Sequence, residues 1–202
     1  MNAYLNLQDQ IAVAVSRPVP VYGPAFAILA ESPDHIAARE ALLDRAMGEG
    51  RFRKSSEKLR RGRLPAEGLA FAALDERGAL VGTVRLWNVV AGCDATNKSV
   101  TALMLGPLAV DPFASGLGIG SALMRKAIAM AKALGHGAIL LVGDPEYYER
   151  FGFTAQRTGN LAMPGPFEKR RLLALELKAG HLAGAHGVLR ASGRKIVQSC
   201  AA

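Results

Sequence analysis

The clearest hydrophobic pattern in the chain follows three glycines at alternate positions near its middle. Beyond them, Leu123, Ala127, Met130 or Ala131, and Leu134 recur at intervals of three or four residues, joined by Met124 and Ile128. This spacing places the four side chains on one face of an α-helix. Gly135 follows directly and is a typical helix terminator. The pattern therefore predicts an amphipathic helix whose apolar stripe faces the protein core.

Shorter apolar runs predict β-strands on both sides of this helix. Two of them flank an Asp-Glu-Arg-Gly turn and predict a hairpin, and the next is apolar on both faces, as is typical of a central strand. Because proline cannot donate a hydrogen bond to a neighbouring strand, Gly106-Pro107 in that strand predicts a bulge or a place where two strands part. The predicted strands are AFAILA (25–30), the hairpin arms (68–90), SVTALMLGPLAVD (99–111), AILLV (138–142) and RRLLALELK (170–178).

Capping residues and glycines predict three further helices. They are a helix within residues 32–50, a short basic helix within 51–63, and a short helix that begins after Asp144. No internal repeat or linker divides the chain. We therefore expect an N-terminal arm (1–24), one domain (25–178), and a glycine- and alanine-rich C-terminal tail (179–202) that packs loosely on the domain or extends from it.

The composition is that of an intracellular globular protein. Of 202 residues, 50% are hydrophobic and 21% are charged, which excludes a disordered chain. No run of about 18 apolar residues could span a membrane, and the N-terminus lacks the basic start of a signal peptide. Two cysteines and four histidines without metal-ligand spacing predict neither a disulfide framework nor a metal site. We expect a cytoplasmic protein without a membrane partner.

A net charge of +8 favours anionic partners such as nucleic acid, acidic lipid or a phosphorylated small molecule. Much of the excess lies in RFRKSSEKLRRGR (51–63). Nucleic acid is the least favoured of these partners, because the segment has one aromatic residue and the chain has no recognisable nucleic-acid-binding module. A solvated helix face and a site that attracts an anionic ligand both stay open for this segment.

The three glycines, Gly116, Gly118 and Gly120, have several interpretations. A Rossmann fingerprint needs a third glycine where this chain has Ser121, and a P-loop needs a lysine after its last glycine. Two interpretations remain: a plain turn into the helix, or a cradle of backbone N–H groups that binds a phosphate at the helix N-terminus. The loop alone does not distinguish them.

Two motifs around this loop resemble those of the GNAT superfamily of N-acetyltransferases, in particular a bacterial subgroup of predicted acetyltransferases. LGPLAVDPFASGLGIGSALM is similar to the family's Val-x-Pro strand followed by [Gln/Arg]-x-x-Gly-x-[Gly/Ala], and YYERFGF (147–153) is similar to its Tyr-x-x-x-Gly-Phe. The likeness covers roughly residues 25–178. It implies an α/β fold with a mixed, mostly antiparallel sheet, a splayed central strand pair and flanking helices. It also implies acetyl-CoA as cosubstrate, without a metal.

The resemblance further implies which residues hold acetyl-CoA. A strand that leaves its neighbour has free backbone groups, which would pair with the pantetheine arm, and one N–H would polarise the thioester carbonyl. The glycine loop would wrap the pyrophosphate, although Ser115 stands where the family has Gln or Arg. The implied cofactor-binding residues are Leu108, Ala109, Val110, Ser115, Gly116, Leu117, Gly118, Ile119, Gly120 and Ser121.

Tyr148 matches the family tyrosine that protonates the departing thiolate. A phenol with a pKa of about 10 is protonated at neutral pH and can donate a hydrogen bond or a proton. Core packing beside Phe151 and Phe153 is the structural alternative for Tyr148, and Tyr147 is the second candidate. Tyr148 is therefore the predicted catalytic residue.

The acceptor side of the reaction is less defined. Glu31, Asp94 and Glu146 are candidate general bases, but each has a surface or capping explanation, so no base is assigned. Arg85 and Trp87 share one face of a strand and are candidates for lining the acceptor site, although sheet packing explains them equally well.

The implied reaction is direct transfer of an acetyl group from acetyl-CoA to a primary amine on a small molecule or a protein. The alternative is a non-catalytic acyl-CoA-binding module that regulates a partner. In the first case, the basic segment 51–63 could attract CoA phosphates or an acidic acceptor. The acceptor and the oligomeric state stay open, a homodimer among the options.

Overall fold

A computed structural model describes residues 26–196; residues 1–25, with the predicted arm, and residues 197–202, at the end of the predicted tail, lie outside the described residues. The strands are β1 (Phe26–Ala30), β2 (Ala70–Asp75), β3 (Leu80–Cys93), β4 (Ser99–Val110), β5 (Ala138–Val142), β6 (Leu161–Ala162), β7 (Leu172–Glu176) and β8 (His186–Ala191). The α-helices are α1 (Ile36–Met47), α2 (Glu57–Arg60), α3 (Ile119–Ala133) and α4 (Pro145–Tyr148), with short 3₁₀ turns between elements.

The strands form one mixed sheet in the order β1–β2–β3–β4–β5–β7, with β8 beside β3 and β6 beside β8. The pairs β4–β5 and β6–β8 are parallel, and the other pairs are antiparallel. The predicted α/β fold with a mixed, mostly antiparallel sheet and flanking helices is confirmed.

Helix α3 covers one face of the sheet, against β2, β3 and β4. Leu123, Ala127 and Ala131 of the predicted apolar stripe are fully buried in the core. The prediction is wrong for the last position of the stripe, because the helix ends at Ala133 and Leu134 is 49% exposed. The remaining stripe joins the helix to apolar side chains of the sheet, and burial of that surface is the main source of its stability.

The other face of the sheet is covered by α1 and α2. Leu42 and Leu43 of α1 pack against Ala109 of β4, and Leu59 of α2 belongs to the cluster that contains Trp87 of β3. The predicted helix within 32–50 and the short helix within 51–63 are both confirmed. Because α2 lies within the basic segment 51–63, this packing places part of that segment beside Leu105 to Leu108 of β4.

Strand β4 follows β3 along most of its length but follows β5 only briefly. The register places Arg85 of β3 opposite both Gly106 and Pro107, which is a β-bulge. Pairing with β5 is limited to Leu103 and Met104, and the two strands separate beyond this point. The bulge and the parting of strands predicted from Gly106-Pro107 are both confirmed, and they create the splayed central pair.

The predicted loose tail is wrong for residues 186–191, which form β8. This strand pairs with the far half of β3, from Val89↔Ala191 to Cys93↔His186, and Leu189 is fully buried. The reason lies in β3, which extends beyond its pairing with β2 and leaves an edge that β8 covers. No helix within residues 26–196 has the length and apolar character needed to cross a membrane.

Candidate active site

A cavity occupies the gap where β4 and β5 separate. Its walls come from both strands, from the α1–α2 region and from α4. Its lining residues are Met47, Lys54, Ser56, Arg60, Leu105, Gly106, Pro107, Leu108, Leu141, Val142, Gly143, Asp144, Tyr148 and Arg171. We call it the gap cavity. It brings the predicted catalytic Tyr148 beside Leu108, the first of the predicted pantetheine-binding residues.

Tyr148 ends α4, and its ring packs against the backbone of Gly143 at the end of β5. A β-carbon on Gly143 would stand 2.2 Å from a ring carbon of Tyr148. The ring also makes edge-to-face contacts with Tyr147 and Phe153, at centroid distances of 4.8 and 6.1 Å. Burial raises the pKa of the Tyr148 hydroxyl to about 12. The hydroxyl is therefore a proton donor throughout the neutral range.

The backbone of β4 presents alternate residues to the gap. The N–H of Asp111 donates to the carbonyl oxygen of Val81 in β3. Because backbone groups alternate in direction along a strand, those of Ala109 also face β3, and those of Leu108 and Val110 face the gap. The side chain of Ala109 is buried in the α1 cluster. Of the three predicted residues, Leu108 and Val110 are therefore the ones with backbone groups free toward the gap.

A second cavity, the loop cavity, lies at the N-terminus of α3. Its lining residues are Val110, Ala114, Ser115, Gly116, Gly118, Ile119, Gly120, Ser121, Tyr147 and Arg150. The first helical hydrogen bond of α3 runs from the N–H of Ala122 to the carbonyl of Gly118. The amides of the three preceding residues have no acceptor within the helix, as at any helix start. They form a positively polarised surface suited to an anion.

Glycine is needed in this loop for shape and for space. Gly116 and Gly118 have φ angles of +84° and +77°, in the left-handed region that other residues avoid. A β-carbon on Gly120 would stand 3.1 Å from the hydroxyl oxygen of Tyr147. Leu117, also predicted to bind the cofactor, points elsewhere: it lies in a separate depression beside Phe113 and is 55% exposed.

Arg150 was not among the predicted site residues, yet it lines the loop cavity with Ser115. Its guanidinium lies 4.0 Å from the centre of the Tyr147 ring, and its Nε donates to the Tyr147 carbonyl oxygen at 3.0 Å. These contacts hold a positive charge beside the loop in which Ser115 replaces a long polar side chain. The only signal in the sequence is the basic residue inside YYERFGF, which does not reveal the direction of its side chain.

Arg85 and Trp87 share one face of β3, as predicted, and both are buried. Arg85 lies 3.9 Å from carboxylate oxygens of both Glu31 and Glu40, and its burial lowers its pKa to about 10. The indole N–H of Trp87 donates to the carbonyl oxygen of Gly106. Neither side chain is among the described residues that line the gap cavity. The Trp87 hydrogen bond supports the bulged segment of β4, whereas Arg85 faces the two carboxylates.

The three candidate bases are each held by other groups. Glu31 pairs with Arg39, both side chains being buried. The Asp94 carboxylate accepts from the Thr96 hydroxyl and from the Thr96 and Lys98 amides in the β3–β4 turn, which lowers its pKa.

Glu146 accepts a hydrogen bond from Arg170 at 3.1 Å and has a lowered pKa because of its backbone and Arg170 contacts. Of the carboxylates in the described part of the chain, Asp144 is the one that lines the gap cavity, and Arg171 lies 3.3 Å from it.

The basic segment 51–63 does not form a uniform solvated face. Arg51 is buried and pairs with Glu40 and Asp44 at 2.7 Å each. Lys54 and Arg60 line the gap cavity instead. The segment therefore joins a buried ion-pair cluster to the wall of the candidate site.

Comparison with known proteins identifies the family. The Acetyltransferase (GNAT) family model matches residues 36–153. The uncharacterized N-acetyltransferase YhbS of Escherichia coli K12 is 31% identical over 85 residues, which are 42% of this chain and 48% of that protein. The match thus spans about half the length of the curated relative.

Solved structures agree in fold. The crystal structure of the GNAT family N-acetyltransferase YhbS from E. coli in complex with CoA superposes with a TM-score of 0.69 at 26% identity, covering 84% of this chain and 91% of that one. A GNAT family acetyltransferase from Brucella melitensis in complex with acetyl-CoA has a TM-score of 0.54 at 24% identity over 76% of this chain and 97% of that one, which is a likeness of fold alone. Because the family match extends over more than half of the sequence and contains both the glycine loop and the Tyr148 motif, the chain belongs to the GNAT family of acetyltransferases.

Proposed function

We propose that the protein transfers an acetyl group from acetyl-CoA to a primary amine by direct attack. The observation that supports this proposal best is the alignment of two cavities along β4. The loop cavity adjoins Val110 and the gap cavity adjoins Leu108, and Tyr148 lies at the second. The E. coli relative, of related sequence and fold, was crystallised with CoA, which supports the same ligand class here.

The described residues fit the parts of acetyl-CoA. The free amides at the start of α3 and the Arg150 guanidinium would hold the pyrophosphate, because both present positive charge to one cavity. The free backbone groups of Leu108 and Val110 would pair with the pantetheine amides in the manner of an added strand. The fit does not require a long side chain at Ser115.

Acetyl-CoA supplies the thioester carbonyl that the amine attacks and the thiolate that leaves. A backbone N–H of β4 in the gap would stabilise the negative charge that develops on the carbonyl oxygen. Tyr148 would donate its hydroxyl proton to the sulfur as the C–S bond breaks, and solvent would restore that proton. The C–N bond forms in the same transfer, and the amine releases its surplus proton.

The lack of a free carboxylate base is compatible with this chemistry for some amines. An amine with a pKa near 8 is about a fifth to a third neutral at pH 7.4, whereas a lysine-like amine with a pKa near 10.4 is about 0.1% neutral. Weakly basic amines thus need no base.

The decisive experiment measures thiol release from acetyl-CoA with a panel of primary amines, together with calorimetry of CoA binding. Acetyl-CoA-dependent release with at least one amine, matched by an acetylated product in mass spectrometry, is the expected result. CoA binding without transfer to any amine of a broad panel would contradict it and favour the non-catalytic acyl-CoA-binding module.

A further inference from the structure

We propose that the acceptor is a primary amine that also bears an anionic group, either a carboxylate or a phosphate, and that Lys54 and Arg171 bind this group. The inference rests on the proposed function, since it assigns the substrate class of the same site. It starts from the charge of the gap cavity, in which three lining side chains are cationic (Lys54, Arg60 and Arg171) and one is a carboxylate (Asp144).

The three cations differ in how far they are neutralised. Arg60 forms an ion pair with Glu57, and both side chains are largely buried. Arg171 lies 3.3 Å from Asp144 and 3.6 Å from Glu168, and its buried Nε has no hydrogen-bond partner among the described residues. The ammonium group of Lys54, an exposed residue, forms no ion pair or hydrogen bond with any residue from 26 to 196. The charge of Lys54 is therefore left for a ligand, beside an Arg171 guanidinium that its two carboxylate partners neutralise only in part.

Lys54 and Arg171 stand where the gap cavity meets a neighbouring one. Both line this adjoining cavity, whose wall also includes Glu168, which is paired with Arg171, and Phe167 at its apolar side. An acceptor that places its amine in the gap beside Tyr148 can therefore extend its other end past Lys54 and Arg171. A carboxylate or phosphate at that end would form charge-assisted hydrogen bonds with the two side chains.

The same charges disfavour other acceptors. A polyamine would bring a second ammonium group against Lys54 and Arg171, and like charges at short range repel each other. A neutral amine would gain no electrostatic attraction from Lys54, whose exposed ammonium would stay hydrated. Lys54 and Arg171 thus favour acceptors in which the second functional group is an anion.

The test compares four small amines as acceptors: phosphoethanolamine, β-alanine, ethanolamine and putrescine. Thiol release at saturating acetyl-CoA gives kcat/KM for each. We expect at least a tenfold preference for phosphoethanolamine or β-alanine over the other two, and the ratio between these two distinguishes phosphate from carboxylate. Added salt should reduce the preference, because it screens the charges.

Two variants examine the assigned side chains. Lys54→Glu should lower kcat/KM for the preferred anionic amine about tenfold or more and change that for ethanolamine by less than about threefold; Arg171→Gln should weaken the same preference. Lys126→Glu is the matched control, because Lys126 is exposed on α3 and lines neither cavity. It should leave the preference unchanged.

Two results would overturn the inference while the acetyltransferase function stands. One is equal or better use of ethanolamine or putrescine, and the other is an undiminished preference in Lys54→Glu. If neither these four amines nor any amine of the broad panel supports thiol release, the proposed function fails, and calorimetry with the CoA-loaded protein decides the acceptor class separately. Binding of phosphoethanolamine or β-alanine that Lys54→Glu abolishes would support it, and lack of such binding would overturn it.

Discussion

The ring of Tyr148 rests directly on the backbone of Gly143, which follows the last residue of β5 beside the gap between β4 and β5. No side chain fits between them, since a β-carbon at position 143 would lie 2.2 Å from the ring. The tyrosine is thereby held against the strand that forms one wall of the gap cavity. A residue outside both family motifs thus determines where the predicted catalytic hydroxyl lies.

Gly143→Ala is expected to displace the Tyr148 ring and to lower kcat about tenfold or more. The added methyl group must move either the ring or the strand, because a contact of 2.2 Å is not tolerated. Gly159→Ala is the matched control: it has no neighbouring atom within 4 Å of the added carbon and no positive φ. Steady-state kinetics of both variants, with circular dichroism to verify folding, make the comparison. Equal activity of the two variants would contradict a positioning role for Gly143.

Tyr148→Phe should lower kcat at least tenfold and leave the affinity for CoA nearly unchanged. The substitution removes the proton donor but keeps the ring contacts with Gly143 and Phe153. Single-turnover kinetics measure the chemical step and calorimetry measures CoA binding. Unchanged turnover would remove Tyr148 from the mechanism and leave it a packing role.

We expect kcat to rise with pH as the acceptor amine loses its proton. We expect no decrease of kcat from deprotonation of Tyr148 below about pH 11. Burial raises the pKa of the hydroxyl to about 12, so the protonated donor form persists below that pH. The Tyr148→Phe variant should retain the rising limb at a lower level. A falling limb near pH 10 in the native protein that disappears in Tyr148→Phe would show an ordinary pKa and contradict the prediction.

Arg150 is expected to compensate for the short side chain at Ser115. Arg150→Ala should weaken CoA binding about tenfold, because it removes the charge that lines the loop cavity. Ser115→Arg in the Arg150→Ala background should restore much of the loss, since the new guanidinium would face the same cavity. As a matched control, Arg157→Ala removes an arginine that lies 3.6 Å from Glu176 and does not line this cavity. Calorimetry measures the affinity for CoA. Equal affinity of the native protein and Arg150→Ala would show that Arg150 does not compensate for Ser115.

Glu31 is expected to contribute to stability and not to act as the base. Glu31→Gln breaks its pair with Arg39, in which both side chains are 9% exposed, and loss of a buried partner costs about 3 kcal/mol. Glu146→Gln is the control, because its pair with Arg170 is exposed on both sides and should contribute little to stability. Urea unfolding measures both free energies, and kcat is compared under conditions where both variants are folded. If Glu31→Gln had the same free energy of unfolding as the native protein but a kcat about a hundredfold lower, Glu31 would be the base instead.

Local sequence determined most of the fold and the outline of the site. Gly106-Pro107 predicted the bulge and the parting strands because proline removes a backbone donor wherever it stands. Gly116 and Gly118 predicted the turn before α3 because their backbone angles exclude other residues, and the spacing of Leu123, Ala127 and Ala131 predicted the buried face. These features depend on residues that are close together in the chain, and they can therefore be predicted from the sequence alone.

Contacts between distant segments were decided only by the tertiary structure. Lys54 and Arg171 line the same two cavities because the segment before α2 and the segment before β7 both border the gap. Neither segment contains a signal that predicts this proximity. Arg150 lies beside Ser115 only because the turn after α4 returns to the start of α3. The tail forms β8 because β3 has an unpaired edge, a property of the assembled sheet. The direction of side chains and the pairing of distant segments depend on how the whole core is packed. The acceptor side of the site is built from such pairings, and the sequence alone therefore predicted it least.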